Sequence, residues 1–327
     1  MIEGFCVIEG DNMKNFKTAK DQALLLQSRG INIPVDFDSE RFLITRNYYS
    51  MINGYGKYFT SSTDVYLNGV TLREIEKVFI FDKAIKEILF VHLLEVEKYL
   101  KAILSYYFCL ECPGQYDYLN IQNYKCASPE DRLRSVDVIN RIAKVINDYS
   151  KKQTPNAIKH YIKVHNGVPL WVAIQFMYFG DVIKMYDCCS STIQSNVSKE
   201  FSRFLKDNTQ NSNAFIQPKD LSQILKQMRD IRNAVAHNNQ ILHFPGSNSI
   251  PYIPSIHSPL HIAPSTSRTS MYHTMLAMQC LISSDEYNHL IKSLKKRFTQ
   301  FKKDLTSIDY NKITSDLGYP KDWINTI

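Results

Sequence analysis

The segment from Leu72 to Phe108 constrains the fold more than any other part of this sequence. It reads LREIEKVFIFDKAIKEILFVHLLEVEKYLKAILSYYF, and its apolar residues recur at steps of three and four. That period places an apolar stripe along one side of an α-helix. Thr71 and Glu74 have the spacing of a capping box at its start, and Pro113-Gly114 closes the region. The sequence therefore predicts one long scaffold helix over 72–108.

Shorter helical patterns occur on both sides of this segment. Residues 244–270 show no helical pattern. This stretch carries five prolines and many serines, so it is predicted to be an irregular connector. No segment alternates apolar and polar residues for long enough to indicate a β-sheet. The chain is therefore predicted to be all-α, with further helices at 14–30, 39–49, 132–152, 170–189, 221–237, 271–282 and 285–306. The helix over 170–189 follows Pro169 and is predicted to break or turn near Gly180-Asp181.

Two regions are predicted along the chain. Residues 1–70 form an N-terminal helical extension that ends in an aromatic connector, and residues 71–327 form the main helical domain. Besides the long helix, the main domain contains a helix over 221–237, the Pro/Ser-rich insert 244–270 and C-terminal helices over 271–327.

The net charge of +7 and the pI near 8.9 make the chain moderately basic. This balance is compatible with a polyanionic partner such as nucleic acid, without specifying one. The seven cysteines are an odd number, and Cys109-x2-Cys112 is only one half of a zinc-site spacing. We therefore expect reduced thiols and no metal site.

Neither export nor membrane insertion is indicated. The first residues, MIEGFCVIEGDNMK, lack the basic region and the long apolar core of a signal peptide. The longest apolar run, VPLWVAIQFMYFG at 168–180, is too short to span a bilayer. Together with the reduced cysteines, this predicts a soluble cytoplasmic protein with no membrane partner.

Arg232 and His237 lie five positions apart at the end of the predicted helix 221–237. On a helical wheel, Arg232 falls on the flank of the apolar face, whereas Asn233 and His237 point away from it. The arginine and the histidine therefore do not share a stripe. They can act on one phosphate only if another surface, such as the same helix of a second copy across a two-fold axis, brings it between them.

These residue types suit the cleavage of a phosphodiester, but a structural alternative is also open. Histidine can accept or donate a proton near neutrality, arginine binds phosphate oxygens, and Asn233 can position either the imidazole or the sugar. Alternatively, Arg232 pairs with a carboxylate at the edge of the core and His237 is a solvated cation at the helix C-terminus. The spacing alone does not decide, because Arg268 and His273 match it too, without a helical pattern upstream.

Several blocks of the sequence resemble the Abi-like abortive-infection family, the AbiD/AbiF group of bacterial phage-defence proteins. The chain is thereby similar to the HEPN superfamily of helical domains, whose motif is Arg-x4–6-His, often with a polar residue after the arginine. Arg232, Asn233 and His237 match this motif position by position. The blocks that carry the resemblance are FKTAKDQALLLQSRG (16–30), NYYSMINGYGKYF (47–59), FDKAIKEILFVHLLEVEKYLKAILSYYF (81–108), VPLWVAIQFMYFGDVIKMY (168–186), IRNAVAHNNQIL (231–242) and LGYPKDW (317–323).

The resemblance implies a HEPN-type helical bundle with additional helices around it. It also implies a metal-independent endoribonuclease without a cofactor, in which a homodimer brings two motif copies together. The implied reaction is attack by the 2′-hydroxyl of RNA, giving a 2′,3′-cyclic phosphate and a 5′-hydroxyl. Some relatives are described as associating with a small non-coding RNA, so RNA is expected both as substrate and as a controlling partner. The alternatives are a non-catalytic RNA-binding module of a defence or toxin–antitoxin system and a helical neutralising partner.

Further residues have candidate roles. Glu97 and Lys101 lie four apart in the long helix, where they either support the site or form a plain salt bridge. Trp171 and Phe176 lie in an apolar block and are predicted to be core. The cations that either contact RNA or form solvated faces are Lys151, Lys152, Lys159, Lys163, Lys292, Lys295, Lys296, Arg297, Lys302 and Lys303.

Overall fold

The computed structural model of the chain describes residues 16–242, 244, 246, 249–321 and 323–326. The prediction about a signal peptide concerns residues 1–14, which lie outside this range. The structure is 68% helical with only 2% strand, so the all-α prediction is confirmed. They form two compact units, which divide within the long helix between Ile80 and Phe81, whereas the predicted domain division falls at residue 70.

The smaller unit comprises the described residues up to Ile80 together with Phe301–Asp309. Thr18 caps its first helix by accepting a hydrogen bond from the Asp21 backbone N–H. The aromatic connector contributes buried side chains, including Tyr58 and Phe59, and contains a short antiparallel hairpin that no alternating pattern indicates. The elements are α1 (Ala19–Ser28), α2 (Ser39–Arg46), α3 (Tyr48–Ile52), β1 (Thr60–Ser62), β2 (Val65–Tyr66) and the first turns of α4 (Leu72–Glu111).

Helix α4 begins at the predicted residue because its capping box forms. The Glu74 backbone N–H donates to Thr71 Oγ1 at 3.2 Å, and the Thr71 backbone N–H donates to Glu74 Oε2 at 3.1 Å. Burial alone would raise the pKa of Glu74, but backbone N–H groups of Ser307, Thr306 and Thr71 hold it below its ordinary value.

The larger unit comprises Phe81–Gln300 and the described residues from Tyr310 onward. Its motif-bearing helix, α10 (Pro218–Ala236), packs against three other helices, α8, α9 and α12, whose ranges are given below. A 3-10 turn at Ile174–Phe176 separates α7 from α8. Its elements after α4 are α5 (Pro129–Lys151), α6 (Ala157–His165), α7 (Leu170–Ala173), α8 (Phe179–Cys188), α9 (Ser191–Thr209), α10 (Pro218–Ala236), α11 (Pro254–His257), α12 (Met271–Ala277), α13 (Ser284–Asp304, whose last turn belongs to the smaller unit), α14 (Asn311–Thr314) and α15 (Trp323–Thr326).

Helix boundaries near the motif differ from the prediction in one respect. The sequence predicts a helix that starts after Pro218 with Asp220 as its N-cap. Helix α10 instead begins at Pro218 with Gln217 as its N-cap, so that prediction is wrong. Proline suits the first helical position because its fixed φ matches the helix and its missing N–H has no partner to lose.

Two helices and part of the insert were not predicted. Helix α9 buries Ile193, Val197, Phe201 and Leu205 at four-residue steps, although its Ser- and Asn-rich composition has low helix propensity. Helix α6 is likewise absent from the prediction. The described residues of 244–270 contain α11 and a 3-10 turn at Ser258–Leu260, so this insert is not wholly irregular.

The prediction that Trp171 lies in the core is wrong. Its side chain is 54% exposed, and Phe176 is only half-buried. The buried positions of this block are instead Leu170, Val172, Ala173 and Ile174, which turn Trp171 outward. Among the described residues, no helix has both the length and the apolar character needed to cross a bilayer.

Candidate functional site

Arg232 lies on the flank of α10, where it has unused hydrogen-bonding capacity. Its Nη2 is 3.3 Å from Glu97 Oε2, and its Nη1 donates to Asn233 Oδ1 at 3.3 Å. The Nε donor is buried and has no hydrogen-bond partner in the part of the chain that the structure describes. A guanidinium carries five N–H donors. Arg232, whose side chain is 26% exposed, can therefore still bind an anion.

Glu97 joins Arg232 to a second cation on α4. Lys101 Nζ lies 2.8 Å from Glu97 Oε1 and 3.4 Å from the backbone oxygen of Gln175. The side chains of Glu97 and Lys101 are only 12% and 9% exposed, so this is a largely buried ion pair rather than a solvated one. One carboxylate between two cations leaves a net positive charge beside Arg232.

His237 is the exposed C-cap of α10. Its φ of −86° and ψ of 9° end the helix, and its backbone N–H donates to the Asn233 carbonyl at 3.0 Å. The imidazole has no hydrogen-bond partner among the described residues, and the Asn233 side chain is also exposed. An unengaged imidazole at the surface remains available for proton transfer.

The backbone beyond His237 is fixed by a left-handed residue. Asn238 has a φ of +56°, its N–H donates to Val235 O at 3.0 Å, and Asn239 N–H donates to Ala234 O at 2.9 Å. These two bonds form a Schellman motif, for which asparagine is a favourable alternative to glycine. The direction in which α10 presents His237 is therefore set locally.

Asp82 and Lys86 of α4 hold the backbone that follows α10 through hydrogen bonds. Neither residue was among the predicted site residues. Lys86 Nζ lies 3.0 Å from Asp82 Oδ2 and donates to Asn238 Oδ1 at 2.8 Å. Asp82 Oδ1 accepts the N–H groups of Ile241 and Leu242 at 3.0 and 3.2 Å. We call Asp82 and Lys86 the clamp. The sequence pattern that could have indicated the clamp is an aspartate and a lysine four positions apart on a helix face that is otherwise apolar.

A small cavity of about 290 Å³ adjoins the clamp. Both α4 and the end of α10 contribute to its wall, with Phe90 and Val235 as apolar residues and Glu87 as the acid. The remaining lining residues are Lys83, Lys86, Ala236 and Asn238.

Comparison with known proteins identifies the chain. A family model described as Abi-like protein matches residues 41–243, which is more than half of the sequence. The chain belongs to the Abi-like protein family. Membership associates it with abortive infection, a form of phage defence. A search of curated proteins and a search of solved structures each found no match.

The family match separates the two Arg-x4-His pairs. It contains Arg232 and His237, together with Glu97, Lys101 and the clamp, whereas Arg268 and His273 lie outside it. Arg268 braces the insert, because its guanidinium donates to the carbonyls of Ile250, Ala263, Pro264 and Thr266. Burial lowers the pKa of His273 to about 4, so this imidazole is neutral near pH 7.

The predicted RNA-contacting cations fall into separate groups within this Abi-like protein. Lys151 and Lys152 lie at the end of α5, where Lys152 Nζ is 3.6 Å from the Tyr149 ring centroid. Lys292, Lys295, Lys296 and Arg297 lie on α13, as do Lys302 and Lys303 in its last turn. The α13 group lies outside the family match.

Both interpretations of the motif are compatible with one isolated copy. Arg232 has the carboxylate partner and His237 the helix-end position that the structural alternative requires. Two features go beyond that alternative: the Arg232 Nε is buried without a hydrogen-bond partner among the described residues, and the clamp holds the backbone that follows His237.

Proposed function

We propose that this Abi-like protein is a HEPN-type endoribonuclease of phage defence that cleaves RNA without a metal ion. The observation that carries the proposal is that one helix bears both a guanidinium, whose buried Nε has no partner among the described residues, and an exposed imidazole. Arginine binds phosphate and histidine transfers protons near neutral pH. These are the two functions that phosphodiester cleavage by an internal hydroxyl requires.

In the proposed reaction the 2′-hydroxyl of RNA attacks the adjacent phosphorus atom. His237 accepts the hydroxyl proton as the new P–O bond forms, and Arg232 stabilises the charge that develops on the phosphate oxygens. The bond to the 5′-oxygen then breaks, and that oxygen takes up a proton. The products are a 2′,3′-cyclic phosphate and a 5′-hydroxyl end, and Asn233 positions the imidazole or the sugar.

We further propose that two copies of the chain form the complete site. The reaction needs a proton acceptor and a proton donor, whereas one copy of α10 supplies one exposed imidazole. Arg232 and His237 also project from different sides of the helix. A two-fold axis beside α10 would supply a second imidazole and place one phosphate between both motif copies. A bound non-coding RNA could occupy the same cations and so control the site.

Glu97 and Lys101 have a positioning role in this proposal. Glu97 holds the Arg232 side chain in one orientation, and Lys101 prevents that carboxylate from fully neutralising the guanidinium. A phosphate therefore meets an oriented cation with residual positive potential.

The test is the His237→Ala chain, assayed on RNA in excess EDTA with analysis of the cleaved ends. We expect cleavage to fall by about a hundredfold or more, because general acid–base catalysis contributes about 10²–10⁴-fold, while RNA binding persists. His289→Ala, which removes another exposed imidazole, is the matched control and should retain full activity. Undiminished cleavage or toxicity of the His237→Ala chain would leave the non-catalytic RNA-binding module as the remaining function.

A further inference from the structure

Three exposed side chains follow one another along the segment between α7 and α8. Trp171 is 54% exposed and Tyr178 is 75% exposed, and the Gln175 side chain between them is exposed as well. We call Trp171, Gln175 and Tyr178 the aromatic ledge. Two large aromatic rings exposed on one short segment offer a partner a large contact area, because an aromatic side chain buries 150–250 Å² when it is covered.

The ledge rests on a rigid base. Between and beside its members, Leu170, Val172, Ala173, Ile174 and Met177 are each no more than 8% exposed. The Gln175 Nε2 group also donates to the Trp171 carbonyl at 3.5 Å. The outward direction of the two rings is therefore determined by buried neighbours on the same segment, and a partner would meet a preformed surface.

The ledge is connected to the proposed phosphate site at two points. At the first, the Gln175 carbonyl accepts a hydrogen bond from Lys101, whose other partner, Glu97, contacts Arg232. At the second, Gly180 lies against α10, where a Cβ atom would be 3.2 Å from Arg229 Cδ. Ledge and motif therefore form one continuous region of the larger unit.

Cations border the ledge on its α5 side. The Phe176 ring packs 4.6 Å from the Tyr149 ring, over which Lys152 Nζ lies. Lys159 Nζ donates to the Lys152 carbonyl at 2.7 Å, and Lys151 is exposed beside it. The three lysines outnumber the one carboxylate on this turn of α5, that of Asp148, so the border carries a net positive charge. Aromatic faces next to lysines are the combination that holds single-stranded nucleic acid, by base stacking and by attraction of phosphates.

We propose that the aromatic ledge binds unpaired bases of RNA, with Trp171 and Tyr178 as stacking platforms and Lys151 and Lys152 near the sugar–phosphate backbone. The inference rests on the proposed function for the identity of the ligand as RNA. It adds that the bound segment is single-stranded, since a base within a duplex is already stacked on its neighbours and offers no free face.

The test uses the full chain carrying His237→Ala, so that RNA is bound without being cut. The probes are a 2′-O-methyl oligouridylate of about twelve nucleotides, within the span of known single-strand sites, the same backbone without bases, and a blunt duplex of equal length. Adding Trp171→Ala should weaken oligouridylate binding by about fivefold to a hundredfold, the effect of losing one stacked base. Trp171→Phe should restore most of the affinity, and the abasic probe should not respond to either change.

The second tryptophan makes stacking directly observable. Trp323 is 1% exposed and Trp171 is 54% exposed, so oligouridylate should protect Trp171 fluorescence from acrylamide while leaving the Trp323 signal unchanged. Tyr49→Ala, which removes a ring that is 62% exposed on α3, is the matched control and should bind as the parent does.

Each contrary result has a distinct meaning. Unchanged oligouridylate affinity in the Trp171→Ala chain, or no RNA binding by the parent chain, overturns the inference. Unchanged affinity with a reduced dimer fraction in sedimentation would instead make the ledge an interface between copies.

With His237 intact, Trp171→Ala should raise KM and spare kcat, whereas failure of the proposed function would appear as full kcat in the His237→Ala chain.

Discussion

Glu97 is the shared counter-ion of two cations, and its two oxygens are divided between them. Oε1 contacts Lys101 at 2.8 Å and Oε2 contacts Arg232 at 3.3 Å. Among the described residues, removing this carboxylate leaves both cations without an acidic partner, whereas removing Lys101 leaves Glu97 paired with Arg232. Loss of one partner of a buried ion pair is costly because the other charge stays desolvated.

We therefore expect Glu97→Gln to lower the free energy of unfolding by about 2–4 kcal/mol and Lys101→Met by about half as much. Urea denaturation of the purified chains measures both values. Lys98→Met is the matched control, because the Lys98 side chain is 70% exposed and its loss should change stability by less than about 1 kcal/mol. A larger effect for Lys101→Met than for Glu97→Gln would exclude Glu97 as the shared counter-ion.

A residue of the site could be predicted from the sequence where its position depends only on neighbouring residues of the same helix. The helical wheel places Arg232 on a flank and His237 away from the core because both properties follow from one helix. The contact between Arg232 and Glu97 joins positions 135 residues apart, which no local spacing reveals. The prediction for Trp171 fails because hydrophobicity shows only that a side chain gains by being buried. In a short segment several apolar residues compete for the buried positions, and here Trp171 is left exposed.

The clamp joins two elements of the larger unit, since it lies on α4 and holds the chain that follows α10. Asp82 and Lys86 have side chains that are 0% and 6% exposed, and together they bind Asn238, Ile241 and Leu242. A buried carboxylate that accepts two backbone N–H groups cannot be removed without leaving those donors unpaired.

Asp82→Ala should lower the free energy of unfolding by about 3–5 kcal/mol and accelerate amide exchange at Ile241 and Leu242. Glu87→Ala is the matched control on the same helix: Glu87 forms an exposed pair with Lys83 at 3.7 Å, and its loss should cost less than about 1 kcal/mol. Hydrogen-exchange mass spectrometry and urea denaturation check both expectations. Unaltered exchange at the two amides in the Asp82→Ala chain would mean that the clamp does not hold the end of α10.

A helix could be predicted from the sequence where the residues that specify it lie within a few positions of one another. The start of α4 follows from the Thr71–Glu74 capping box, which forms as predicted. Helix α9 went unpredicted because its polar composition opposes its regular apolar spacing, and burial decides the outcome. In the insert, buried Arg268 satisfies the carbonyl groups of Ile250 and Pro264, which lie on either side of α11, and no local pattern in the sequence indicates these contacts.

At the scale of the whole molecule, the proposed reaction needs more imidazoles than one chain presents at the motif. If two copies share the site, specific activity depends on the concentration of chains as well as on the substrate. A mixed dimer of a wild-type and a His237→Ala chain carries one imidazole in place of two, and it lacks either the proton acceptor or the proton donor.

We expect specific activity to fall on dilution in parallel with the dimer fraction measured by sedimentation. Excess His237→Ala chain should also inhibit wild-type chain, by a factor of about ten when the variant exceeds it about tenfold, because random pairing then leaves few fully wild-type dimers. The assay uses saturating RNA, so that binding of substrate by the variant does not mimic inhibition. A mixture with the Arg232→Ala, His237→Ala double variant, which lacks both groups, should be inhibited at least as strongly. Activity that stays proportional to wild-type chain in every mixture and at every dilution would show that one copy completes the site by itself.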